Sequence, residues 1–156
     1  MSLKRLATIL SVVGGLFIFY VGISYLLAPQ STASGFGLPT WPTDEGTGFL
    51  AVKGVRDIGS GLVIFTLLLT GHRRALAWVM LATAFVPLGD MTVVLTHHGS
   101  TATALGVHGA TAAAVLLTAA LLLREPTNAA TPPAGESTTY SVPMTAPALR
   151  AVAHTD

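Results

Sequence analysis

Residues 6–28, LATILSVVGGLFIFYVGISYLLA, contain no charged side chain. At 1.5 Å rise per residue, a helix of that length covers the roughly 30 Å hydrocarbon core of a bilayer. Three further stretches read the same way, at residues 49–70, 75–96 and 102–123. Backbone N–H and C=O groups find no water in lipid, so a spanning segment must satisfy them internally, and a helix does so. Barrel strands would be about half as long and would alternate in polarity, which these stretches do not. The expected fold class is all-α: a polytopic membrane protein with four transmembrane helices (about 6–28, 49–70, 75–96 and 102–123) in an up-down bundle over residues 1–125.

Composition agrees with that expectation. Of the 156 residues, 51% are hydrophobic and 10% charged, whereas a soluble domain carries about 25% charged residues. Too few polar side chains exist to coat a water-soluble surface. Eight basic residues against seven acidic ones leave a net charge of +1, too little for nucleic-acid binding. The chain has no cysteine, which excludes disulfides, thiolate catalysis, iron–sulfur clusters and cysteine-type zinc sites. Lys4 and Arg5 could open a signal peptide, but the apolar run is longer than the usual 7–15 residues and lacks a small-x-small cleavage site.

Lysine and arginine in the short flanks set the expected orientation. Lys4 and Arg5 precede the first helix, Arg73 and Arg74 lie between the second and third, and Arg124 follows the fourth. With alternating helices all five fall on one side, so both termini are expected in the cytoplasm and the protein in the plasma membrane. Short turns, 71–74 and around Gly99, make the last three helices successive hairpins. Residues 29–48 form a longer connection holding Trp41, which reads as an interfacial anchor or as part of a lid. Beyond Glu125 a proline-, alanine- and threonine-rich segment (126–156) reads as a disordered cytoplasmic tail. Pro87 should kink the third helix about one turn before itself. Gly14, Gly15, Gly54, Gly59 and Gly61, with Gly106 and Gly109, are candidates for close helix contacts.

Function is expected where charge enters the membrane. Lys53, Arg56, Asp57 and Asp90 lie inside the spans, and His108 adds a titratable group. A charge at a helix centre costs about 2.5–3.5 kcal/mol on the insertion scale, so these residues should face inward and pair. Counted from the outer helix ends, Asp57, Asp90 and His108 fall in one layer. Lys53 and Asp57 are four apart and can pair on one face. Arg56, about 100° round the helix, is free to reach Asp90, and His108 to donate to it. His97, seven residues beyond Asp90, shares its face. Asp57, Asp90 and His108 are therefore the candidate acid/base residues. Lys53, Arg56, His97 and Trp41 are the candidate binding residues, with Arg56 a clamp for an anionic or oxygen-rich group. The layer can serve a small lipophilic molecule, pass ions or protons, or act as structural glue. His97 and His98 are adjacent rather than four apart, so no metal site is expected. No cofactor fingerprint is present. Expected partners are membrane lipids, a small lipophilic ligand and a second copy in a homodimer, with no nucleic acid.

The segment Lys53-Gly54-Val55-Arg56-Asp57-Ile58-Gly59-Ser60-Gly61-Leu62 resembles the G-x-R-D-x-x-x-G-L signature of a family of small four-helix integral membrane proteins, the domain of unknown function 4267 family. Gly89-Asp90 and His108 also match its pattern. The resemblance covers about residues 6–123. It implies a four-helix membrane fold with Arg56, Asp57, Asp90 and His108 as distinguishing polar positions, and no established activity, substrate or cofactor.

Overall fold

The computed structural model describes residues 2–126, and the tail expected beyond Pro126 lies outside them. Among the described residues the chain is all-helical, without a strand. Helix α1 (Leu3–Leu27) starts at Ser2, whose side chain accepts the Arg5 N–H. It stops at Ala28, which leaves the helical region (φ −142°, ψ 62°). Proline disfavours helical geometry in the residue before it, and Pro29 follows. Pro29 then opens the short α2 (Pro29–Ser34), where a missing N–H costs nothing. The 29–48 connection is thus partly helical, with a 3₁₀ turn at Asp44–Gly46 before α3 (Thr47–Leu69).

Gly71 closes α3. It sits at φ +76°, where a side chain would be strained, and hydrogen bonds from His72 N to Leu67 O and Gly71 N to Leu68 O reverse the chain. Helices α4 (Arg73–Thr83) and α5 (Phe85–Thr96) follow, broken at Ala84 three residues before Pro87. The break is the expected kink, because proline removes the N–H that would bond Thr83 O. At the α5 end His98 takes the left-handed position (φ 57°) and Gly99 N bonds Val94 O. The last stretch is α6 (Thr101–Thr103), a π-helical turn (Ala104–Gly109) and α7 (Ala110–Leu123).

Three helical stretches are long and apolar enough to cross a membrane: Leu3–Leu27, Arg73–Thr96 and Thr101–Leu123. Helix α3 is equally long at 23 residues but concentrates Lys53, Arg56 and Asp57 within one turn and a half. Large apolar side chains such as Leu27, Phe49, Leu69 and Phe85 lie exposed on the outside, which suits lipid and not water.

Packing concentrates at the two ends. At one end Ala7, Ile64, Leu76, Ala77, Met80, Ala119 and Leu122 form a buried cluster. Beside it the Arg73 guanidinium grips Glu125 through two hydrogen bonds of 2.5 and 2.6 Å and donates to Lys4 O at 3.3 Å. That contact ties the α1 start, the α3–α4 turn and the α7 end together. At the other end Tyr25, Ala33 and Leu50 pack with Val21. Between the clusters α1 and α3 stay in contact, and two cavities open beside them.

Candidate functional site

Four of the charged and titratable residues singled out in the sequence meet around one cavity of about 500 Å³: Lys53, Asp57, Asp90 and His108. Helix α3 supplies the first two, α5 the third and the π-helical turn the fourth. At 1.5 Å per residue Asp57 lies about 15 Å from the α3 start, Asp90 about 9 Å from the α5 end and His108 about 10 Å from the α6 start. All three distances run from the same end of the protein, and the expected layer is present.

Lys53 Nζ donates to Asp57 Oδ2 at 2.7 Å, the i,i+4 pair that the spacing predicts. Its ammonium also lies 4.7 Å from the centre of the Tyr25 ring and 5.8 Å from that of Phe36. Both rings present their electron-rich faces to a cation in this range, so they steady it where water is scarce.

His108 is buried. Its Nε2 lies 2.9 Å from the Phe36 carbonyl oxygen. A carbonyl only accepts, so Nε2 carries a proton and donates it. The opposite nitrogen, Nδ1, therefore faces Asp90, with Oδ2 at 3.9 Å. The direct His108–Asp90 hydrogen bond expected from the sequence is not formed, because 3.9 Å is too long for one. A neutral ring would turn a lone pair toward the lone pairs of an ionised carboxylate. One proton held by either group would convert that opposition into attraction.

A second, larger cavity of about 910 Å³ adjoins the first. The two share seven lining residues: Phe17, Ile18, Asp57, Val86, Pro87, Val107 and Thr111. Arg56 lines only the larger one. The expected Arg56–Asp90 pair is not made: Asp90 lies with His108, and Arg56 is exposed on the face of α3 that turns toward the larger cavity. The rest of that wall is mainly apolar. A Cβ added at Gly14, Gly59 or Gly106 would meet nothing within 4 Å. All three glycines line the cavity, so its space comes partly from side chains that are not there. The expected close helix contact is made at Gly54, against the backbone of Gly22, and at Gly15 and Gly61, which the Phe65 and Phe19 rings cover.

His97 and Trp41 line neither cavity. His97 Nδ1 turns back onto Val93 O at 3.0 Å and caps its own helix, and Trp41 sits on the surface. Phe36 contributes what the sequence did not announce. Its carbonyl orients His108, and its ring lies 4.6 Å from the imidazole at 54°. Gly37 makes that placement possible. It takes φ +100°, its carbonyl accepts Ser100 N–H at 2.8 Å, and a Cβ there would meet Thr103. Flanking glycines around a lone aromatic were the available signal. Among the described residues no three His, Asp or Glu side chains are grouped to hold a metal ion.

Compared with known proteins, residues 15–122 match the profile of a family described as a domain of unknown function, DUF4267. That span includes every residue of both cavities except Leu10, Val13 and Gly14. No curated protein and no solved structure matches.

Proposed function

The chain belongs to the DUF4267 family, and for this member we propose a small integral membrane protein that binds a lipophilic molecule from the bilayer. The molecule's polar group would meet Lys53, Asp57, Asp90 and His108. The observation that supports this best is the joined pair of cavities, one apolar and one lined by these four residues, sharing a wall at Asp57. Structural glue would need the same charges but no adjoining space.

In this reading α3 is the fourth span. Arg73 ties the start of α1 to the end of α7 and to the α3–α4 turn, so helices running between the two ends must be even in number. The basic residues Lys4, Arg5, Arg73, Arg74 and Arg124 support a reading with that end, and both termini, in the cytoplasm and the protein in the plasma membrane. The polar layer then lies toward the outer face. A reporter active only outside the membrane should give signal when fused at Gly99 and none after Glu125. The reverse result would overturn the orientation.

Binding itself is tested by titrating purified full-length protein in detergent with an uncharged, fluorescent long-chain alcohol. Saturable binding is expected. His108→Gln carries an amide N–H at the reach of Nε2, keeping a donor for the Phe36 carbonyl, while removing Nδ1. It should melt like the parent and bind the alcohol about tenfold more weakly, equivalent to about 1.4 kcal/mol. Parent-like affinity would leave His108 as a clamp for the Phe36 loop only. A second reading, acid/base chemistry on the bound molecule, is favoured by one feature: His108 Nδ1 and the Asp90 carboxylate face each other across 3.9 Å beside the cavity.

A further inference from the structure

We infer that the larger cavity takes a single-chain amphiphile with an anionic head, a long-chain carboxylate, whose head pairs with Arg56. This rests on the binding reading above and names the class of ligand.

The first support is charge accounting within the helices. Lys53 is matched by Asp57, and Asp90 faces His108. Arg56 is left over: among the described residues no carboxylate lies within ion-pair distance of its guanidinium. It sits about 13 Å from the start of α3 at 1.5 Å per residue. Side chains near helix ends can bring a charge back to the interface, but a mid-helix arginine relies on an interior partner. Asp57, its neighbour in sequence, is already engaged by Lys53 at 2.7 Å. An arriving anion would give Arg56 the contact that neither Asp57 nor Asp90 makes with it.

The second support is the shape and chemistry of the space beside Arg56. About 910 Å³ lies within the roughly 300–1,000 Å³ typical of small-molecule sites. Leu10, Val13, Phe17 and Val115 supply apolar walls, and Gly14, Gly59 and Gly106 leave the path between them clear. An alkyl chain fits such a lining without an unpaired polar atom. The guanidinium fork matches a carboxylate through two parallel hydrogen bonds. A bilayer phospholipid fits less well, since its headgroup is held at the interface and Arg56 is not there.

The test uses the full chain in zwitterionic detergent at neutral pH, with hexadecanoate and hexadecanol competing against the fluorescent alcohol. Hexadecanoate is expected to bind at least tenfold more tightly than hexadecanol. Arg56→Gln should erase that preference by weakening the acid at least tenfold more than the alcohol. Equal affinities in the parent would overturn the anionic head while the cavity reading stands, and the parent comparison holds even where the variant folds poorly. A preference retained in Arg56→Gln would overturn the role of Arg56. Failure of both compounds to bind would overturn this proposal and the binding reading together. In nanodiscs, displacement of the probe by phosphatidylglycerol but not by hexadecanoate would overturn the single-chain ligand.

Discussion

Gly54→Leu should leave almost no folded protein, whereas Gly59→Leu, five residues along the same helix, should melt like the parent. A Cβ at Gly54 would lie 2.7 Å from the Gly22 carbonyl oxygen, and a Cβ at Gly22 would lie 2.7 Å from the Gly54 carbonyl oxygen. Both obstacles are backbone, so no rotamer change relieves them. One turn or two away the same interface seats the Phe65 ring over Gly15 and the Phe19 ring over Gly61. Overpacking that side chains can absorb costs about 1–3 kcal/mol. Here α1 and α3 must move apart, and that interface supports both cavities. Total stability of a domain is only about 5–15 kcal/mol, so the loss should be close to complete. At Gly59 an added side chain enters the open cavity and meets nothing within 4 Å. Fluorescence-detected gel filtration and thermal melts in detergent compare the two. A Gly54→Leu protein that melts with the parent would mean that the two backbones do not meet.

The helices were legible because lipid leaves the backbone few options and because turn chemistry is local: Gly71, Pro29 and Pro87 act where the sequence puts them. The Lys53–Asp57 pair followed from spacing on one helix. That Asp57, Asp90 and His108 share a layer followed from counting residues along straight rods. What failed needed the rotation of one helix against another. Arg56 was expected to face α5, but Asp57 takes the inward position and Arg56, a third of a turn away, faces the larger cavity. His97 shares a face with Asp90 in an ideal helix, yet it sits at the helix end, where its own carbonyls claim it. Phe36 was hidden because its role belongs to a carbonyl, which every residue has. The π-helical turn that presents His108 has no sequence signature of its own, although such turns gather at functional sites. Among the glycines, the pairs seven apart, Gly15 with Gly22 and Gly54 with Gly61, make the helix contact, a periodicity visible in the chain once the partner helices are known.

The central claim is that the joined cavities hold a ligand, and blocking them is the most direct trial. Val107 and Thr111 lie on both cavity walls, four residues apart and so on one face of the last helix. Val107 is 45% exposed and Thr111 is half-buried, so larger side chains there turn into the space and not into the packed ends. Val107→Trp combined with Thr111→Trp should fill the region the two cavities share, removing the apolar contact area on which a lipophilic molecule depends at about 25 cal/mol per Å². The affinity of the full-length protein for the fluorescent long-chain alcohol, measured beside its melting temperature, gives the answer. The account predicts at least a hundredfold loss of binding with an unchanged melt. Parent-like binding in the doubly filled variant would place the ligand elsewhere and contradict it.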